Sequence, residues 1–147
     1  MKRSEYEREV IVRIFQVSNA LQTHIDKILK DFNITAKQFF IMIIIGTFDE
    51  DPSIKDISER FESSHQNVKQ ILIKLEKQGL IKLYKDTNDS RILRTRFTNE
   101  ADAFWKKREL DDYQIMAEIF SDLSLDNLSV FQNSLVKTLE KLNILNK

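Results

Sequence analysis

The residues best equipped for chemistry stand in one run, Ser64-His65-Gln66-Asn67-Val68-Lys69-Gln70, with Lys74 one helical turn further on. Gln and Asn side chains present a donor and an acceptor together and can pair bidentately with adenine, while Ser64 and Lys69 suit phosphate oxygens or guanine acceptors. His65 belongs with them as a base or phosphate contact, because no second metal ligand lies one turn away. A helix enclosed by protein on all sides has no use for such an amide-rich run, and an idle exposed helix is more often rich in Glu and Lys. The chemistry expected here is readout of base edges in the major groove of duplex DNA.

A second group follows. Lys85, Asn88, Arg91, Arg94 and Arg96 surround the turn-rich stretch Asp86-Thr87-Asn88-Asp89-Ser90-Arg91. Their expected role is contact with the sugar-phosphate backbone or the adjoining minor groove. Asp86 and Asp89 are expected to shape the turn by pairing with these arginines, Asp89 orienting Arg91 while Arg91 still faces DNA. Charge agrees with this division. Over residues 63–98 eight basic residues stand against three acids, whereas from Glu109 onward seven acids stand against three lysines, although the whole chain is neutral.

Much else is excluded. Without cysteine there is no thiol catalysis, zinc-thiolate site or iron–sulfur cluster. The two histidines, His24 and His65, are far apart, and two glycines and one proline cannot build a phosphate-cradling loop or a turn-rich β-sandwich. No nucleophile elbow or cluster of His with carboxylates is present, so no enzyme, cofactor or metal is expected. The acidic run Asp49-Glu50-Asp51 lacks the glycine and spaced ligands of a calcium loop and reads as a solvated loop. The start, MKRSEYEREV, has no apolar h-region, and the most apolar run, Phe39 to Phe48, is half as long as the ~20 residues a membrane span needs. A cytoplasmic protein without membrane contact is expected.

The elements that position these groups can be read from periodicity and caps. Apolar residues from Ile11 to Phe32 fall at steps of three and four and predict one long helix over 5–32. Thr35 with Gln38 forms a capping box opening an apolar helix from Ala36 to Phe48. Ser53 caps a short helix through Arg60, and Ser64 caps the helix that carries the amide run, which Gly79 stops. Strands are predicted over 80–85 and 92–97, then two long helices, the first rich in aromatic core residues such as Phe104 and Trp105 and the second carrying Leu125, Leu128, Phe131, Leu135, Leu139 and Leu142 at helical spacing. At 147 residues, this is one mainly helical domain with a small β-hairpin wing.

Three stretches then resemble a known family. Leu75-Glu76-Lys77-Gln78-Gly79-Leu80-Ile81, the turn Asp86 to Arg91, and Phe97-Thr98-Asn99-Glu100-Ala101 look like the MarR family of bacterial transcription regulators. Asp86, Asp89 and Arg91 match the family's wing motif; Asn88 stands where the family usually has arginine, and Ala101 where glycine is common. The resemblance extends over nearly the whole chain through helix order and length. It implies a winged helix-turn-helix lobe at 34–98 and a helical dimerisation lobe from 1–33 and 99–147. It further implies a homodimer bound to a pseudo-palindromic double-stranded operator, more a repressor by operator occlusion than an activator. A small aromatic effector, bound between the dimer helices and the DNA-binding lobe, is also implied, with no ligand residues assigned. With Asn88 at the wing tip, weaker or differently placed groove contacts are expected. The rival expectation is a winged helix used for protein–protein contact without DNA.

Overall fold

The computed structural model describes all residues, Met1–Lys147. Helix α1 (Arg3–Ile28) leads through a 3-10 turn (Lys30–Phe32) to α2 (Ala36–Gly46), α3 (Ile54–Phe61) and α4 (His65–Lys77). Strands β1 (Ile81–Lys85) and β2 (Leu93–Phe97) follow, then α5 (Asn99–Ile119) and α6 (Leu125–Leu145). The strands pair antiparallel with Leu83 opposite Thr95. The chain divides into two compact units, Met1–Asp102 and Ala103–Lys147. The mainly helical class with one hairpin is as the sequence predicts.

In the first unit the helices start and stop where their caps dictate. Thr35 Oγ1 accepts from the Gln38 amide at 3.2 Å while the Gln38 side chain accepts from the Thr35 amide at 2.9 Å. Ser53 and Asp56 form the same reciprocal box at the start of α3. Ser64 Oγ accepts the Asn67 amide at 3.1 Å and so opens α4. At the other end Gly79 adopts φ +77°, Leu80 N–H donates to the Leu75 carbonyl at 3.1 Å and Gly79 N–H to that of Glu76 at 2.9 Å. This is a Schellman closure, which needs a left-handed residue at that position.

The core lies among α2, α3 and α4. Ile41, Met42, Ile57, Val68, Leu72 and Leu75 are fully buried, each large aliphatic side chain contributing about 1.5–3 kcal/mol. One face of α4 is therefore fixed against α2 and α3, which determines where its opposite face points. Polar ties refine the fit. The buried Gln38 donates to the Gln78 side chain at 3.2 Å, and Asp26 of α1 accepts from the Ala36 amide at 2.6 Å.

Two predicted boundaries move. The expected single helix over 5–32 ends at Ile28, because Asn33 takes a left-handed conformation (φ 55°) and residues 30–32 tighten into a 3-10 turn before it. The expected helix to Phe48 ends at Gly46, where Thr47 Oγ1 turns back to donate to the Ile44 carbonyl and Arg60 of α3 donates to Thr47. In the second unit Ser124 caps α6, none of whose residues is buried, and Arg108 pairs with Asp112 one turn on at 2.6 Å. No helix is long and apolar enough to cross a membrane.

Candidate nucleic-acid interface

Because Val68, Leu72 and Leu75 are buried on one face of α4, the opposite face of the helix points outward. His65, Gln66, Asn67, Lys69, Gln70 and Lys74 are all exposed, as is Ser64 at the cap. The amide-bearing flank of the helix is thus open to water over its first two turns. The turn that sets it at an angle to α3 is short. Glu62 closes α3 in a left-handed conformation (φ 55°), and only Ser63 and Ser64 separate it from α4.

The hairpin is tied to α4 and to the loop before α3. Glu76, near the end of α4, accepts the Leu83 amide of β1 at 2.6 Å. Thr95 N–H of β2 donates to the Pro52 carbonyl at 2.9 Å. Within the tip, Asp86 accepts the amides of Asn88 and Asp89, both at 3.0 Å, and leaves Asn88 exposed at the apex. Asp89 accepts from Arg91 Nε and Nη2, both at 3.0 Å, as the sequence predicts.

All three wing arginines are engaged by carboxylates. Arg91 pairs with Asp89 yet stays 89% exposed, so one side of its guanidinium remains available. Arg94 pairs with Asp86 and donates to the Asp51 carbonyl at 2.9 Å, with its side chain only 32% exposed. Arg96 donates to Asp51 Oδ2 at 2.9 Å and lies over the Tyr84 ring at 4.8 Å. Lys85 is exposed and enters no ion pair within 4.0 Å.

The acidic run is solvated at Asp49 and Glu50, which are exposed, but not at Asp51. Its carboxylate accepts from both Tyr84 Oη and Arg96 Nε, and so latches the loop before α3 to both strands. Burial acts to raise the Asp51 carboxyl pKa, but the hydrogen bonds from Tyr84 and Arg96 and the charges of Arg96 and Arg94 outweigh it and hold it below the ordinary 3.8. The Arg94 hydrogen bond, with the Asp89 and Asn88 amides, likewise depresses Asp86, and Arg91 depresses Asp89. Periodicity cannot find this latch, since Asp51 meets residues 33 and 45 positions away.

A prediction follows from the latch. Asp51→Ala removes the acceptor shared by Tyr84 and Arg96, so amide hydrogen exchange in β1 and β2 should quicken while that of α2 and α4 holds. Equal acceleration throughout the first unit would show that the contact stabilises the whole unit instead. Acid should act in the same direction. A carboxyl depressed in the fold stabilises above its unfolded pKa and loses that contribution as pH falls through its folded pKa. The wing should therefore stay ordered down to pH 3.8 and loosen below it.

A three-helix core whose last helix turns a polar face outward, followed by a strapped hairpin, defines a winged helix-turn-helix. Residues 34–93 match the model of the MarR family. Solved structures agree over the chain's length. The transcriptional regulator BldR from Sulfolobus solfataricus superposes with a TM-score of 0.82 at 19% identity, covering 96% of this chain and 99% of that one. The MepR–DNA complex of S. aureus gives 0.79 at 20% identity, covering 89% of this chain and 96% of that one. A mutant MarR from E. coli complexed with operator DNA gives 0.81 at 17% identity, covering 95% and 99%. No curated protein sequence matches the chain.

Proposed function

We propose that the protein is a sequence-specific double-stranded-DNA-binding transcription regulator, a cytoplasmic homodimer that represses by occluding its operator. The observation that carries the reading is the open amide flank of α4 beside a basic wing, in a segment that matches the MarR family. Similar folds are found on DNA in the MepR and MarR complexes. An α-helix fits the major groove, and its first turns meet base edges. Gln66, Asn67 and Gln70 are the base-reading groups in this account, with Ser64, His65, Lys69 and Lys74 on phosphates or guanine. Asn88 and Arg91 face the backbone from the wing, with Lys85, and Arg94 and Arg96 hold the wing in place while lending it charge.

The homodimer is supported by apolar surface that one chain leaves uncovered. On α6, Leu125, Phe131, Leu135, Leu139 and Leu142 are between 41% and 81% exposed. On α1, Val10, Ile11, Ile14 and Phe15 are exposed as well. Patches of this kind on a monomer mark interaction sites. A two-fold dimer would set its reading helices about one helical turn of DNA apart, roughly 34–36 Å, on a pseudo-palindromic site. Release by a small aromatic effector completes the reading that the match to the family supports.

The test is selection from a pool of randomised duplexes, followed by titration across salt. The expected result is a pseudo-palindromic consensus and an affinity that falls steeply with salt, about −0.9 in log–log slope per phosphate neutralised. No enrichment, with salt-insensitive capture of a protein partner through the same face, would favour a protein–protein module instead.

A further inference from the structure

We infer that Lys55 is part of the DNA-contacting surface: with His65, Lys69 and Arg91 it lines a cleft that seats one backbone phosphate of the duplex. The inference rests on the reading of the protein as a DNA-binding regulator and adds to it a residue outside α4 and the wing.

The cleft has a volume of about 250 Å³ and is floored by Ile54 and Leu93. A water molecule occupies about 30 Å³ in the liquid, so a phosphodiester group and several waters fit. Its walls come from three elements: Lys55 in the first turn of α3, His65 and Lys69 in the first turns of α4, and Arg91 at the end of the wing turn. Three of these side chains are cationic, and no carboxylate lines the cleft. Asp56, beside Lys55 in the sequence, is taken up in the cap of α3, where it accepts from Ser53. Lys55 Nζ lies 3.9 Å from Glu59 with the two side chains 78% and 68% exposed, a geometry that is weak in water. Asp89 grips Arg91 from one side only.

The position suits a phosphate rather than a base. In a helix-turn-helix the helix before the reading helix crosses the sugar-phosphate backbone, and Lys55 stands in the first turn of that helix. Lys55 and His65 also line a neighbouring cleft of about 470 Å³ toward Ser63 and Ser64, where Glu59 and Glu62 supply carboxylates and make it unsuited to a phosphate. They therefore form the ridge between two hollows at the start of α4.

The experiment compares the parent protein, Lys55→Gln, Lys55→Arg and Glu59→Gln on the selected operator and on unrelated duplexes across salt. Lys55→Gln should weaken every sequence alike, with base preference unchanged and the log–log salt slope shallower by about 1.8, one phosphate for each of the dimer's two copies, so that the affinity gap widens about 60-fold for each tenfold dilution of salt. Lys55→Arg should restore the slope, and Glu59→Gln should tighten binding to all sequences. An unaltered slope and affinity in Lys55→Gln, or a changed base preference, overturns the inference while a DNA-binding parent leaves the wider reading intact. A parent that binds no duplex overturns both.

Discussion

Replacing Gln66 and Asn67 with alanine is expected to flatten the base preference of the protein while leaving its fold in place. Both side chains project from the first turn of α4 into water, and the cap bond at this end uses the Asn67 backbone amide, which the substitution keeps. Alanine is also the best helix former, so α4 should be no less stable. Each bidentate pair lost should cost about 1–3 kcal/mol of discrimination, or roughly 5- to 150-fold in the ratio of preferred to altered operator. The check is competition binding between the selected duplex and single-base variants. A uniform loss of affinity for all duplexes would instead place these residues on phosphates. The adjoining Lys69 should behave in that second way, lowering affinity alike for every sequence.

The second large effect concerns assembly. Leu135 and Leu139 are 41% and 44% exposed on α6 and spaced to lie on one face. Aspartate at both positions puts charge into a surface that a homodimer has to dehydrate, and an unpaired buried charge is strongly unfavourable. Light scattering should give twice the 17.4 kDa chain mass for the parent and a single chain mass for the double variant. Operator affinity should fall by about 10²–10⁴-fold, the gain that linking two binding modules supplies. Because these side chains are not in the core, the helical signal should hold. A variant that remains dimeric would move the interface elsewhere, and a parent that is monomeric at micromolar concentration would remove the homodimer from the account.

The parts of the fold that were legible in the sequence are those governed by neighbours in the chain. Thr35, Ser53 and Ser64 announce helix starts because a cap acts over three residues. Gly79 announces a stop because only a left-handed residue closes that turn cheaply. The outward face of α4 follows from the helical spacing of Val68, Leu72 and Leu75, and so the exposed amides are legible in the sequence. The break after Ile28 was not visible, since Leu29 is apolar and fully buried and continues the helical pattern. Asp51 was misread for a different reason. Its partners Tyr84 and Arg96 reach it only after the hairpin folds back, and an acidic loop with such partners looks the same in sequence as a solvated one. Lys55 was missed likewise, because it joins His65, Lys69 and Arg91 only through the packing of α3 against α4.

The wing departs at the tip from the MarR pattern it resembles, where Asn88 stands in place of the usual arginine. The arginine that closes the motif is kept. Arg91, three residues on, is 89% exposed despite its bond to Asp89 and stands near the base of the turn rather than at its apex. Charge is thereby absent at the apex and kept beside the start of α4, where Arg91 lines one cleft with His65 and Lys69.

The most direct test of the central claim is to follow the side-chain NH₂ resonances of Gln66, Asn67 and Gln70 as the selected duplex is added. The account predicts that these three shift on binding while the buried Gln38 amide, tied to Gln78, stays put. A duplex that binds and leaves all three exposed amides unmoved would contradict it.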